Sequence, residues 1–365
     1  MNELQRRESR PWLGTGLAVA AGSYGLAGLA IRLTVRDSLT ATAMIYYATP
    51  WPVLATMLVL VAGGLRLRNR WGWACPLATV GLVGLTAWMI AALSDTAPQA
   101  SPDQHNTLTC LTWNIDHGQA GWHQLARSIR DEATDLVCLV EAGSNEPEHD
   151  RFWDSALPDY TSAGLGSGML VLVKNGTIRQ TRSGSLDGSA RFRQFDVSCR
   201  GSQLVLLIVD IKSTPWISRQ AALEQLAYIV ANIPDRPVLI TGDFNTPTDS
   251  AWFDTWHPNL KNAWDEAGTG FRPTWPVPLP LLDLDQCWGN KLVRFVNCRA
   301  ATSSQSDHRK LLTRFAVHTT VRDYTSPSRL RKNHSNDTND TNTPSTYQLS
   351  HRSMTVARAI PLAAG

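Results

Sequence analysis

Zinc-binding patterns are missing from this chain. Its six cysteines, Cys75, Cys110, Cys138, Cys199, Cys287 and Cys298, are not paired at zinc-ligand spacing. A zinc-built fold is therefore not expected. Cys110 and Cys138 sit inside apolar runs and read as buried free thiols. Cys287 and Cys298 flank a possible hairpin; an oxidising compartment would permit a bridge between them, and the sequence leaves that pairing open. Internal repeats are absent too. Lysine is absent from residues 1–106, which hold eight arginines and five acids. An excess of positive charge is also lacking over residues 107–318, with 20 Lys+Arg against 23 Asp+Glu. A nonspecific nucleic-acid binder draws most of its affinity from Lys and Arg contacts to phosphates. That class is disfavoured, because the net charge of +3 comes from the flanks.

The first 93 residues do contain long apolar runs. Trp12 to Ile31 carries no charge, and Met44 to Leu65 and Trp73 to Leu93 follow it. A helix that crosses a bilayer needs about 20 such residues. Three transmembrane helices over 12–93 are expected. A cleaved signal peptide would explain only the first run, and no small-x-small site follows it before Arg32. The arginines give an orientation. Arg6, Arg7 and Arg10 precede the first run, and Arg66, Arg68 and Arg70 lie between the second and third. Only Arg32 and Arg36 occupy the other loop. The positive-inside tendency puts residues 1–11 and the Arg66–Arg70 loop in the cytoplasm. The chain then reads as a multi-pass protein of the cell membrane, extracytoplasmic beyond Leu93.

Residues 94–106 are polar, contain Pro98 and Pro102, and read as a linker. Residues 319–365 are rich in Ser, Thr, Asn and Asp without a core-forming pattern, and are expected to be a disordered tail. Between them, 107–318 reads as one domain. Strands are expected at Thr107–Ile115, Leu136–Glu141, Gly168–Val173, Ala190–Cys199, Gln203–Ile211 and Pro237–Thr241. Later strands are expected at Leu282–Trp288, Leu292–Asn297 and Arg309–Val317. Helical spacing of apolar residues appears over Trp122–Ala133 and Ile217–Ile233. Many strands with few helices suggest two packed sheets with helices outside, an α/β class.

The polar residues that end these strands carry the chemistry. Asn114 follows Thr109–Trp113, and Glu141 follows Leu136–Val140. Asp243 and Asn245 follow the Ile240 run within Gly242-Asp243-Phe244-Asn245. Asp285 lies in Leu284-Asp285-Gln286, and Asp307 and His308 precede Arg309. One such carboxylate is ordinarily a solvated turn residue. Several together offer the oxygen donors that suit Mg²⁺ or Mn²⁺ rather than zinc.

These motifs, in this order from about Leu108 to Val317, resemble the endonuclease/exonuclease/phosphatase superfamily with its DNase-I-like fold. The resemblance implies a four-layered α/β sandwich, two packed mixed sheets flanked by helices. It implies that Glu141 holds Mg²⁺ (or Mn²⁺), with Asn114 beside it and Asp307 near the metal. Asp243 would orient and deprotonate the attacking water, and Asn245 would bond the reacting phosphate. His308 would stabilise developing charge, held by Asp285. Such chemistry asks for charge neutralisation and in-line positioning more than for a covalent partner.

The sequence departs from the family at one position of consequence. Where many members carry His-Leu-Lys-Ser, this chain reads Asp210-Ile211-Lys212-Ser213. Asp210 stands where a second histidine would act on the leaving group, either as a protonated acid or as a ligand of a second cation. Gln286 replaces a histidine after Asp285, a milder change. Arg191 and Arg193 alternate on one strand and read as a solvated face, and Arg219 as support for a helix start. Trp275 reads equally as cleft lining or packing. Several spans ahead of such a domain also resemble bacterial membrane phosphatases linked to glycopeptide resistance, which act on polyprenyl diphosphates. The expected function is a membrane-anchored, divalent-metal-dependent phosphohydrolase acting on a lipid-linked or small phosphoester. An extracytoplasmic nuclease and an inactive binding module are the alternatives.

Overall fold

The computed structural model describes residues 3–94, 107–143, 147–164, 168–257 and 259–318. Most of the expected linker and the whole expected tail lie outside the described residues.

Four apolar helices come first: α1 (Glu3–Leu33), α2 (Thr40–Ala48), α3 (Trp51–Leu67) and α4 (Trp71–Leu93). The stretches Trp12–Leu33 and Trp71–Leu93 are long and apolar enough to cross a membrane. The second expected span, Met44–Leu65, is not a single helix. α2 and α3 meet at a bend of 73°, so the chain has two candidate spans, or three if the bent pair counts as one. Pro50 is the cause. A residue before proline is pushed out of the helical region, and Thr49 has φ −121° and ψ 52°. Pro50 caps α3 and has no N–H to continue α2. α1 and α3 touch backbone to backbone at Gly14 and Gly64. A Cβ on either would lie 2.5 Å from the other's carbonyl oxygen. Small residues at such crossings let apolar helices gain packing where no water drives them together.

The part that follows residue 107 is built from two six-stranded sheets. The first contains β1 (Leu108–Asn114), β2 (Leu136–Val140), β3 (Tyr160–Ala163), β4 (Met169–Lys174), β11 (Val293–Ala301) and β12 (Lys310–Val317), in the order β11-β12-β1-β2-β4-β3. The second contains β5 (Thr177–Leu186), β6 (Ala190–Cys199), β7 (Ser202–Ile211), β8 (Val238–Asp243), β9 (Leu260–Asn262) and β10 (Asp285–Asn290), in the order β5-β6-β7-β8-β10-β9. The sheets are mixed. β1 and β2 run parallel and are joined through α5 (Trp122–Glu132), and α6 (Pro147–Ala156) follows β2. β7 and β8 run parallel and are joined through α7 (Gln220–Ala231).

Alternation along each strand decides the layers. In β7, Leu204, Leu206 and Ile208 point between the sheets, while Val205, Leu207 and Val209 pack toward α7. In β2, Leu136, Cys138 and Val140 point between the sheets, while Val137 and Leu139 pack with Leu125 and Ile129 of α5. Strands covered on both faces read as unbroken apolar runs, and that is why these were legible. The result is helix, sheet, sheet, helix: a four-layered α/β sandwich. β5 was not expected. It is an exposed, polar edge strand, buried only at Leu186, and it forms through its pairing with β6.

Cys287 and Cys298, whose pairing the sequence left open, do not bridge. Cys287 lies on β10 of the second sheet and Cys298 on β11 of the first, each a free buried thiol in the core between the sheets. Burial pushes the Cys298 thiol up to about 12 and raises Cys287 as well, so both stay protonated.

The apolar helices are fastened to the two-sheet part through the α1–α2 connection. Arg32 is buried and donates to Asp249 Oδ2 at 2.7 Å, to the Tyr46 carbonyl at 2.8 Å and to the Thr49 carbonyl at 3.1 Å. The Tyr46 hydroxyl bonds Asp249 as well. Asp37 accepts from Ser250 Oγ at 2.6 Å, the Ala251 N–H at 2.9 Å and the Tyr47 hydroxyl at 3.0 Å. Arg36 pairs with Asp254. These partners follow β8 closely, so α2 is held against the loop that leaves Asp243.

Candidate active site

Topology gathers the polar strand ends at one edge. β10 runs antiparallel to β8 with Asp285 opposite Asp243, so β10 begins where β8 ends. β12 runs antiparallel to β1, so the Ser306-Asp307-His308 turn before it meets Asn114. Ser306 Oγ donates to the Asn114 carbonyl at 2.7 Å, and Trp113 Nε1 donates to the His308 carbonyl at 3.1 Å. These bonds fix the turn onto β1.

A cleft of about 510 Å³ opens there, lined by Asn114, Glu141, Asp243, Asn245, Asp307 and His308. Asp243 is almost fully buried. Its Oδ2 accepts from Asn114 Nδ2 at 3.0 Å and its Oδ1 from the Asn245 N–H at 2.9 Å. Asn245 Nδ2 donates to the Ile211 carbonyl at 2.7 Å, which sets the amide's orientation. Gly242 is needed at its position. It has φ 142°, and a Cβ there would lie 2.0 Å from the Val209 carbonyl oxygen.

Behind the cleft, His308 Nδ1 meets Asp285 Oδ2 at 2.8 Å, and His308 Nε2 faces Asp243 Oδ2 at 3.9 Å. Burial alone would lower the His308 pKa. Asp285 outweighs it, with Asp243 and Asp307 adding, and raises the imidazole to about 10. Burial raises Asp243 to about 7, against the pull of His308 and the Asn114 hydrogen bond. A carboxylate poised near neutrality beside an imidazolium suits proton removal from water and stabilisation of an anion.

Among the described residues, the ligand atoms of Asp243, Asp285 and His308 lie within 4.8 Å of one another. An imidazolium bonded to a carboxylate has no free lone pair, so this trio is better suited to holding protons than a cation. The oxygen donors left for a cation include Glu141, Asp307, the amide oxygen of Asn114 and the Asp116 carboxylate, which also lines the cleft. No thiol lines the cleft among the described residues, and this donor set fits a hard divalent ion. Glu141 is a third exposed and sits just past the end of β2 with φ 54°. A non-glycine residue held in the left-handed region is costly, and such positions cluster at functional sites.

Asp210 lies beside Asp243 in register, but its carboxylate is engaged by Arg191 and it is not part of the cleft lining. Arg191 is thus an ion-pair partner rather than only a solvated face. Gln286 Nε2 donates to the Thr246 carbonyl and its Oε1 accepts from Trp288 Nε1 at 2.8 Å, tying the loop after β8 to β10. Trp275 lines the cleft and donates to Asp307 Oδ2 at 2.9 Å.

Sequence reasoning missed three contributors. His117 Nε2 reaches Glu141 Oε2 at 3.3 Å from a left-handed turn. Arg219 is buried, lines the cleft and donates to the carbonyls of Thr214 and Ile217 at 2.8 and 2.9 Å. Burial lowers its pKa from the usual value. Met44, Tyr47 and Ala48 of α2 form a wall of the cleft. No motif announces any of them, since each reaches the site through tertiary packing.

A sequence model described as the Endonuclease/Exonuclease/phosphatase family matches residues 111–308. No curated protein matches the chain. Among solved structures, a Bacteroides thetaiotaomicron protein titled as an endonuclease/exonuclease/phosphatase family protein is similar, with TM-score 0.50 and 14% identity over 59% of this chain and 99% of that one. That likeness is one of fold. A mannosyl-6-phosphatase of the same bacterium aligns at TM-score 0.47 and 13% identity, over 57% of this chain and 99% of that one. A D. rerio TDP2 complexed with a single-strand DNA product aligns at 0.46 and 15%, over 58% and 99%.

Proposed function

Because this chain belongs to the endonuclease/exonuclease/phosphatase family, whose members are metal-dependent phosphoester hydrolases, we propose that it is a membrane-anchored enzyme acting on the phosphate of a membrane lipid at the extracytoplasmic face. The observation that carries this reading is the cleft wall built by α2. A substrate phosphate reaching Asp243 passes beside Met44, Tyr47 and Ala48, with Trp275, Leu282 and Leu284 opposite. The cationic side chains lining the cleft are Arg219 and His308 among the described residues. A duplex would need a broad basic face in their place.

In this mechanism Asp243, aligned by Asn114 and the Asn245 N–H, accepts the proton of the attacking water. Asn245 offers its amide to the phosphate. The His308 imidazolium, kept charged by Asp285, faces the developing negative charge. Glu141, with Asn114 and Asp307, would hold Mg²⁺ or Mn²⁺. When bound, the ion supplies Lewis-acid neutralisation of the phosphate. Asp210, paired with Arg191, is assigned to fixing the end of β7 and not to the leaving group.

Asp285→Asn tests the His308 assignment. In the wild type the imidazolium persists to about 10. Without the Asp285 charge and hydrogen bond, burial is opposed only by Asp243 and Asp307, and the imidazolium loses its proton at lower pH than in the wild type. The alkaline limb of hydrolysis should therefore move to lower pH in the variant. An unchanged alkaline limb would remove His308 as the cation.

The orientation is supported by Arg66, Arg68 and Arg70, which are exposed, with Arg68 beside Gly14 at the other end of the apolar stretch of α1 from Arg32 and its partner Asp249. The substrate class is tested with full-length protein and Mn²⁺ or Mg²⁺ on phospholipid, polyprenyl diphosphate, sphingomyelin and plasmid DNA side by side, alongside a reporter fused after Val317. Lipid phosphate release and an extracytoplasmic reporter are expected. DNA cleavage without lipid hydrolysis, or a cytoplasmic reporter, overturns the reading.

A further inference from the structure

A second cavity adjoins the cleft. It measures about 730 Å³, within the range that encloses organic ligands. α1, α3 and α4 line it together with Phe271, Pro273 and Leu281 of the catalytic part, and every lining residue is apolar. On α1 it extends from Leu29 to Ala21, about 12 Å along the helix at 1.5 Å per residue. That depth lies within one half of a hydrocarbon core about 30 Å thick. The cavity occupies the end of the bundle where Arg32 and Asp37 fasten it to the catalytic part.

Two segments separate this cavity from the cleft, and each contributes to both. In the bent pair, Met44, Tyr47 and Ala48 face the cleft, while Trp51 and Pro52 face the cavity. In the proline-rich loop, Trp275, Leu282 and Leu284 face the cleft, while Phe271, Pro273 and Leu281 face the cavity. The loop is closed on itself by the Trp275–Leu282 bridge and pinned to α4, where Trp88 Nε1 donates to the Pro280 carbonyl at 3.0 Å. A molecule with its phosphate at Asp243 therefore has an apolar space one wall away, at membrane depth.

We infer that this cavity holds one hydrocarbon chain of the lipid whose phosphate enters the cleft, an inference that rests on the phosphohydrolase reading for the location of that phosphate. The chemistry of the lining selects the occupant. With no charged side chain on its walls, the cavity rejects a headgroup and rewards methylene groups, each buried one being worth a factor of about 4 in binding. Glycines make the space. At Gly22 a Cβ would meet only Val61 at 3.7 Å, and at Gly84 only Ala55 at 3.5 Å, both ordinary contacts. Leucine can be accepted by the helix backbone at either position and would fill the cavity. Gly16, with nothing within 4 Å of a Cβ and no part in the lining, serves as the control.

The test uses full-length protein in mixed micelles with Mn²⁺, on butyl phosphate and hexadecyl phosphate, which share one head. The wild type and Gly16→Leu should prefer the hexadecyl ester by tenfold or more in kcat/KM. The Gly22→Leu/Gly84→Leu double variant should lose that preference. A catalysis-independent arm uses hexadecyl phosphonate carrying a diazirine near its chain end. Crosslinks should map to α1, α3 and α4 around Trp51 and Trp88, and should vanish in the double variant but not in Gly16→Leu. Hydrolysis with no chain-length preference, or crosslinks indifferent to the double substitution, overturns the chain site and leaves the phosphohydrolase reading standing. Specific crosslinking with no hydrolysis of either ester overturns the catalytic reading and supports the chain site.

Discussion

Asp243→Asn should lower kcat by about 10²–10⁴, the usual contribution of a positioned general base, with little change in the fold. The carboxylate is held from both sides, by Asn114 Nδ2 at 3.0 Å and the Asn245 N–H at 2.9 Å. An asparagine is nearly isosteric. It keeps one of those bonds and turns its own N–H₂ toward the other donor, at a cost of about 1–3 kcal/mol. An opposing gain comes from removing a buried charge. Burial raises the Asp243 pKa to about 7 in the folded protein, above about 3.9 in an unfolded chain. An acid whose folded pKa is raised binds its proton more tightly in the native state, so native stability falls as pH rises from about 4 to about 7. The variant should therefore show a flatter dependence of melting temperature on pH across that window. Phosphate release and thermal melts on the same preparation measure both effects. A variant that retains a tenth or more of wild-type turnover would show that Asp243 is not the base.

Chelation should abolish activity, and Mg²⁺ or Mn²⁺ should restore it in the wild type. Glu141→Gln should need at least the ~10–100-fold more metal that loss of a mere outer partner costs. Glu141 is the most suitable anchor. Its carboxylate is partly exposed in the cleft, where it meets His117, and its backbone is held at φ 54°. Asp243 is engaged by Asn114 and the Asn245 N–H, and Asp285 meets His308 through Oδ2. Metal-dependent thermal stabilisation gives a readout apart from turnover. Equal metal requirements in the two proteins would move the ion away from Glu141, toward Asp307 or the buried trio.

Much of the fold was legible because its strands are covered on both faces. Leu136–Val140 and Ser202–Ile211 are unbroken apolar runs for that reason. β5 was not, because an exposed edge strand such as Thr177–Leu186 has no core to write a pattern for. Pro50 was visible as a residue, but its effect was read as an interruption within one span instead of a 73° break. The candidate site was legible as strand-end carboxylates and amides in a family order. The engagement of Asp210 by Arg191 was not, because it depends on the pairing of β6 with β7.

The sequence by itself determined the reaction class. Oxygen donors and one histidine at strand ends suit a hard cation, and it is their order in the family's pattern that carries the reaction class. It also determined that apolar helices precede the catalytic part, since their composition suits no other solvent as well. Only the tertiary structure decided how the two halves join. The α1–α2 connection docks on Asp249, Ser250 and Ala251. That docking turns α2 into a wall of the cleft and sets an apolar cavity beside it. The physical reason is one of range. Periodicity and composition report what each segment needs buried within a few residues. Contacts across 217 positions of chain, as from Arg32 to Asp249, are fixed by the complementarity of finished surfaces.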